Sequence, residues 1–214
     1  MKEYLSFNKS LFYLLEILVF LILTFFQQEL DLEYKLNNDD ILAKIGKDTF
    51  LDAYNKYRWI AFALVPLFVI IRVMYSATCL YVGNVFSDSS VEYGKIRNFT
   101  EYFNVALKSE IILFAHVFTV FTLSSWLGIE NGKEIMQYTS LAALFDVDIM
   151  ENWIMVFFTA MNIFELAYWF FMAKLLSQVH ECSYWRSFKF VLTAYVPGFL
   201  IYIVAVMFLL LYLS

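Results

Sequence analysis

The chain has 214 residues, of which 62% are hydrophobic, 21% aromatic and 16% charged, with a mean hydropathy of +0.66. Soluble domains run near half apolar and about a quarter charged, so this excess is more than one globular core can hide, and an integral membrane protein is expected. A net charge of −5 and a pI near 5.0 exclude the basic face a nucleic-acid partner needs, and two Cys make no disulfide framework.

A helix crosses the hydrocarbon with about 20 mostly apolar residues, because unsatisfied backbone groups are not tolerated in lipid. Five runs meet that demand in chain order. The first, 11–26, is interrupted only by Glu16. Its end, Thr24-Phe25-Phe26-Gln27, offers no small-x-small cleavage site, so it reads as an uncleaved helix rather than a signal peptide. Neither a glycine after the initiator Met nor a C-terminal Cys is there to carry a lipid.

The loop 27–58 follows, with Ile41, Ile45, Phe50, Tyr54 and Tyr57 at helical spacing broken by Gly46. It predicts two short amphipathic surface helices, a solvated cap on the bundle with partner docking as the alternative. The second run, 59–81, carries Pro66 and Arg72. In the segment 87–108, Ile96, Phe99, Phe103, Ala106 and Leu107 form a helical stripe, with Asp88 or Ser89 placed to cap its start. An interfacial anchor running into the third run is expected, with a coupling helix for a partner as the alternative.

The third run, 109–127, has His116 near its middle; the fourth, 153–175, carries Asn162 and Glu165; the fifth, 190–213, is the most uniformly apolar, with a bend expected at Pro197-Gly198. With the N-terminus in the cytoplasm, basic residues divide eight inside to six outside, and acidic residues concentrate in the outer loops. The expected architecture is therefore all-α: a single membrane domain over 1–214 with five transmembrane helices, N-in/C-out, plus short interfacial helices. Cys79 and Cys182 then face a reducing compartment and read as structural thiols.

Depth is the sharpest signal. Arg72 lies 13 residues below Trp59 and Glu165 12 below Trp153, while Glu16 and His116 each lie 11 from the outer ends of their runs. At about 1.5 Å per residue, all four fall roughly 16–20 Å from the outer surface. Arg72 and Glu165 make the obvious pair, with Glu16 a second acceptor. Asn162, Glu165 and Tyr168 recur every three residues as a polar ridge, and Tyr75, Ser76 and Cys79 extend the Arg72 side of the second helix. The two ridges are expected to face each other. An internal ion pair fixing helix register, a transport path and a head-group site all fit such a layer.

Phosphate loops, His-x-x-x-His or Cys-x-x-Cys spacing, nucleophile elbows and internal repeats do not occur in the sequence, so no enzyme, cofactor or metal role is expected.

From Tyr138 onward, Ser140-Leu141-Ala142-Ala143-Leu144-Phe145-Asp146 and then Asn162-Ile163-Phe164-Glu165-Leu166, leading into Ala167-Tyr168-Trp169, resemble the Yip family of small five-span membrane proteins. The amphipathic approach to the third run, 99–115, is similar as well, and the likeness extends over about residues 57–213. The resemblance implies a five-span helical bundle without enzymatic activity. Eukaryotic members bind small GTPases in vesicle traffic, and some bacterial members accompany ABC-type exporters. The long acidic first loop, in place of a cytoplasmic N-terminal domain, departs from the eukaryotic pattern and from GTPase binding. A Phe-, Ile-, Lys- and Asn-rich chain suits an AT-rich bacterium. The expected role is a non-catalytic subunit or accessory of an exporter or secretion complex in the bacterial inner membrane, in contact with lipid and other membrane subunits. The alternative is a small permease whose path passes Glu16, Arg72, His116, Asn162, Glu165 and Tyr168.

Overall fold

A computed structural model of the chain describes residues 9–36, 46–86, 98–127, 139–144 and 152–213. The described residues are helical apart from short turns and one isolated antiparallel bridge, with no strand among them. Seven helices follow in order: α1 (Lys9–Leu36), α2 (Lys47–Phe86), α3 (Phe99–Ser109), α4 (Ile111–Leu127), α5 (Asn152–Ala160), α6 (Ile163–Val179) and α7 (Tyr184–Leu213), with a 3-10 turn at Leu141–Leu144. Two of them, α2 and α7, are long and apolar enough to cross a membrane. Two compact groupings emerge, one drawn from Met1–Ile71 and His116–Ile135, the other from Arg72–Ala115 and Met136–Ser214.

In the first grouping the apolar runs extend well past their predicted ends. The helix α1 continues to Leu36, and α2 begins at Lys47 and runs 40 residues without a break. The expected second short surface helix is thus the opening of α2, so Phe50, Tyr54 and Tyr57 share a helix with Pro66. Gly46, at φ +82, supplies the left-handed turn from which α2 starts. Ile41 and Ile45 lie outside the described residues. The polar face of this opening is held by α1. The Tyr54 hydroxyl donates to the Gln28 carbonyl, Arg58 pairs with Glu29 at 2.7 Å, and the Arg58 guanidinium sits 4.7 Å from the Phe25 ring centroid. Nothing between Lys47 and Arg58 breaks a helix, so once α1 satisfies these side chains the backbone carries on into the apolar run.

In the second grouping α6 packs on both α7 and α3, and α5 packs on α7. Tyr102, Tyr168, Leu80, Met172 and Leu176 are fully buried there. The second half of α2 meets α7 in antiparallel register through small residues. A side chain at Gly83 collides with Ala194, and one at Gly198 collides with the Cys79 sulfur. Cys79 and Gly83 on α2, and Ala194 and Gly198 on α7, are each four residues apart. They form two facing ridges of the kind that lets membrane helices approach closely. The Tyr75 hydroxyl donates to the Gly198 carbonyl at 2.6 Å, so Tyr75 and Cys79 serve the α7 contact rather than the α6 ridge.

Two predicted elements are redrawn. The amphipathic segment appears as α3 from Phe99, with Asn98 extended before it and making no side-chain cap; Asp88, Ser89 and Ile96 lie outside the described residues. Its buried face is Tyr102, Val105, Ala106, Leu107 and Ser109, so Ala106 and Leu107 of the predicted stripe are buried, whereas Phe99 and Phe103 are only half-buried. The fourth run is not one helix. It breaks at Met161-Asn162 into α5 and α6, with Asn162 extended at φ −112, ψ 164. The backbone groups freed by the break are taken up by the stretch before the 3-10 turn. Ser140 bridges to Asn162, the Leu141 N–H donates to the Met161 carbonyl at 2.9 Å, and the Ile163 N–H donates to the Thr139 carbonyl at 3.0 Å. The segment Thr139–Leu144, which the sequence reading assigns to an outer loop, is therefore the partner of a gap in the middle of the run. Buried backbone groups must be paired, and here the pairing comes from an irregular stretch in which Ser140 and Ala142 are buried.

An arginine between two buried glutamates

The break at Asn162 sets the site. Asn162 caps α6: its Oδ1 accepts the Glu165 N–H at 2.8 Å, the arrangement of an N-cap with an acidic residue three positions on. That fixes Glu165 in the first turn of α6, 5% exposed, with its side chain turned toward α2 and α7.

Arg72 of α2 reaches two carboxylates at once. Its Nη2 lies 3.3 Å from Glu165 Oε2, and its Nε lies 3.3 Å from Oε1 of Glu110, the residue joining α3 to α4. The guanidinium carbon also sits 5.4 Å from the Tyr168 ring centroid, within reach of its face. Over a third of the Arg72 side chain, 37%, stays accessible, while Glu110 is sealed at 1%. Each carboxylate is served by further donors. Glu165 Oε1 accepts from Trp169 Nε1 at 2.9 Å and from the Tyr195 hydroxyl of α7 at 3.0 Å. Glu110 Oε1 accepts from the Tyr168 hydroxyl at 3.1 Å, and that hydroxyl lies 3.4 Å from Ser76 Oγ. A net of charge-assisted bonds thereby ties α2, the α3–α4 junction, α6 and α7 together. Chemically the cluster can hold an anion at Arg72, exchange a proton on a carboxyl, or simply lock four helices.

Among the predicted residues, Arg72, Glu165 and Tyr168 meet here, and Asn162 joins them through the Glu165 backbone. Of the predicted ridge Tyr75, Ser76 and Cys79, Ser76 meets Tyr168, while Tyr75 and Cys79 face α7. Glu16, fully buried on α1, and His116, half-buried on α4, belong to the other grouping. Glu110, Trp169 and Tyr195 were not anticipated. Counted from the outer end of its run, Glu110 is 17 residues deep and reads as part of the inner boundary. The available signal was register: Tyr102, Ala106, Ser109 and Glu110 share one helical face, and that face is the buried one. Trp169 follows Glu165 by one turn, a spacing at which side chains meet.

A second buried polar contact lies at the far end of α6, where the Tyr102 hydroxyl is 3.2 Å from His180 Nε2 and the imidazole packs beside Phe190. Among the described residues, no group of three His, Cys, Asp or Glu is gathered as metal ligands. Set against protein-family models, curated proteins and solved structures, the chain matches none.

Proposed function

We propose that this is a polytopic protein of the bacterial cytoplasmic membrane, crossing it five times with its N-terminus inside and C-terminus outside on a Yip-like plan. In this reading it serves as a non-catalytic subunit of a larger membrane assembly such as an exporter or secretion complex. Support for the membrane comes from what α2 and α7 expose. Trp59 and Phe86 on α2, and Trp185 and Tyr212 on α7, are all strongly exposed, and each pair is 27 residues apart. That separation is about 40 Å of helix, near the full depth of a bilayer with its interfaces, where aromatic side chains collect. Between these ends Leu67, Phe68, Ile71, Ile201, Val204 and Phe208 lie exposed, as lipid contact demands and water does not favour. The antiparallel α2–α7 register supports opposite directions of crossing, and α5 with α6 supplies one interrupted crossing.

The observation that carries the subunit role is on α1. Leu11, Leu15, Leu18 and Ile22 are exposed and follow alternating steps of four and three residues. A seam of that period fits the holes of a neighbouring helix, a regularity that lipid does not require. Gentle extraction of the tagged protein followed by mass spectrometry tests it. A stoichiometric second membrane protein that is lost in Leu15→Ala/Leu18→Ala is the expected result, and a homogeneous, companion-free chain would overturn it.

A second reading, a small permease, is favoured by the break at Asn162. Interrupted helices beside a buried arginine are how many carriers build a mid-membrane substrate site. It predicts solute flux in proteoliposomes that disappears in Arg72→Gln.

A further inference from the structure

We propose that the Arg72–Glu110–Glu165 cluster binds one exchangeable proton, and that the proton sits on Oε2 of Glu110. The inference rests on counting charges and donors, so it stands whether the chain is an assembly subunit or a permease.

One guanidinium faces two carboxyl groups, so with both ionised the cluster carries a net negative charge in a place where uncompensated charge is strongly disfavoured. One added proton makes it neutral. The hydrogen bonds decide where it goes. Glu165 is the poorer place for it: Oε1 already accepts from Trp169 Nε1 and the Tyr195 hydroxyl, and Oε2 faces Arg72 Nη2, which can only donate. A proton on either oxygen would weaken a contact that the carboxylate already makes. On Glu110, Oε1 is likewise taken, by Arg72 Nε and the Tyr168 hydroxyl. Its Oε2 is buried and has no hydrogen-bond partner. It is the one carboxylate oxygen of the cluster where a proton meets no opposing donor. Among the described residues, the charged and titratable groups facing Glu110 are Arg72 from α2, Glu165 and Tyr168 from α6, and Tyr195 from α7. Arg72 is the one cation among them, and it is shared with Glu165.

Binding and release are balanced simply. A proton from water forms the O–H bond at Oε2 and the cluster becomes neutral; its return to water restores the carboxylate and leaves Arg72 divided between two anions. Either step shifts the pull on Arg72 between Glu110 and Glu165, and hence between the α3–α4 junction and the first turn of α6.

Infrared difference spectroscopy of the full chain in lipid nanodiscs, stepped through pH in H2O and D2O, reads the proton directly. The expected result is a protonated-carboxyl stretch that shifts in D2O, fades at high pH and is lost in Glu110→Gln. Glu16 is also buried, so Glu16→Gln serves as the reference in which the cluster's band must persist. Thermal melting separates the two cluster carboxyls. Glu110→Gln imitates a neutral Glu110 and should melt near the wild type, whereas Glu165→Gln puts an amide against donors and should melt lower. A band that survives Glu110→Gln overturns the assignment, as does a loss of melting temperature in that variant equal to that of Glu165→Gln. A wild type with no such band at any pH, stabilised instead by added sodium, would show an alkali cation in place of the proton and would also overturn it.

Discussion

Two arginines on the same helix show how differently one residue type is used. Arg58 and Arg72 lie 14 residues apart on α2, four turns or about 21 Å. Arg58 pairs with Glu29, whose side chain is 43% exposed, and rests on the Phe25 ring. Arg72 contacts two carboxylates that are almost wholly buried and receive three further donors. Exposed pairs of the first kind are worth between nothing and about 1 kcal/mol, because water competes for both charges. In the second kind it is the two carboxylates that have been removed from water, while 37% of the Arg72 side chain stays accessible, so deleting the contact between Arg72 and Glu165 leaves buried charge uncompensated, at about 3–5 kcal/mol. The first arginine fastens two helices locally. The second decides which helices can be neighbours at all.

The sharpest way to break that contrast is Glu165→Gln, expected to cost about 3–5 kcal/mol and to show as a large drop in melting temperature of the detergent-solubilised chain. Next is Gly83→Leu, which leaves every charge in place but forces α7 away at Ala194. Over-packing of this kind costs about 1–3 kcal/mol, and the same melt with size-exclusion profiling will register it. If Gly83→Leu proved as severe as Glu165→Gln, packing rather than charge would be holding the second grouping together. Asn162→Ala removes the cap that aims Glu165, at about 1 kcal/mol, and Asn162→Asp should recover most of it. Smallest is Arg58→Gln, expected to cost under about 1 kcal/mol and to shrink further as salt is added during the melt.

How much of this the residues announce depends on which physics each feature obeys. Helices were legible, because long apolar runs have few other ways to satisfy their backbone. The Arg72–Glu165 pair was legible too, since a buried charge needs a partner at its own depth. The Ser76–Tyr168 contact follows from three- and four-residue spacing, but that spacing did not tell that Tyr75 and Cys79 turn to α7. Glu110 was hidden because depth counting treats the start of the third run as an end, whereas Glu110 joins α3 to α4 and shares the buried face of α3. On α3 the apolar stripe was read as the face of an interfacial anchor, and of its described members Ala106 and Leu107 are buried while Phe99 and Phe103 are half-buried. The polar Tyr102 and Ser109, each with a hydrogen-bond partner, share the buried face. The break in the fourth run was hidden because hydropathy averages over it. What marked it was Asn162 followed by Glu165, a helix start inside an apolar stretch. The pairing of Thr139–Leu144 with that gap is long-range and left no local trace.

The most direct test of the cluster's role is a pair of double-mutant cycles measured by the same melts, Arg72→Gln with Glu165→Gln against Arg58→Gln with Glu29→Gln. A coupling of about 2–3 kcal/mol for the first pair and under about 1 kcal/mol for the second is the result predicted here. Equal couplings, or additive losses for Arg72 and Glu165, would contradict the claim that this buried contact organises the second grouping.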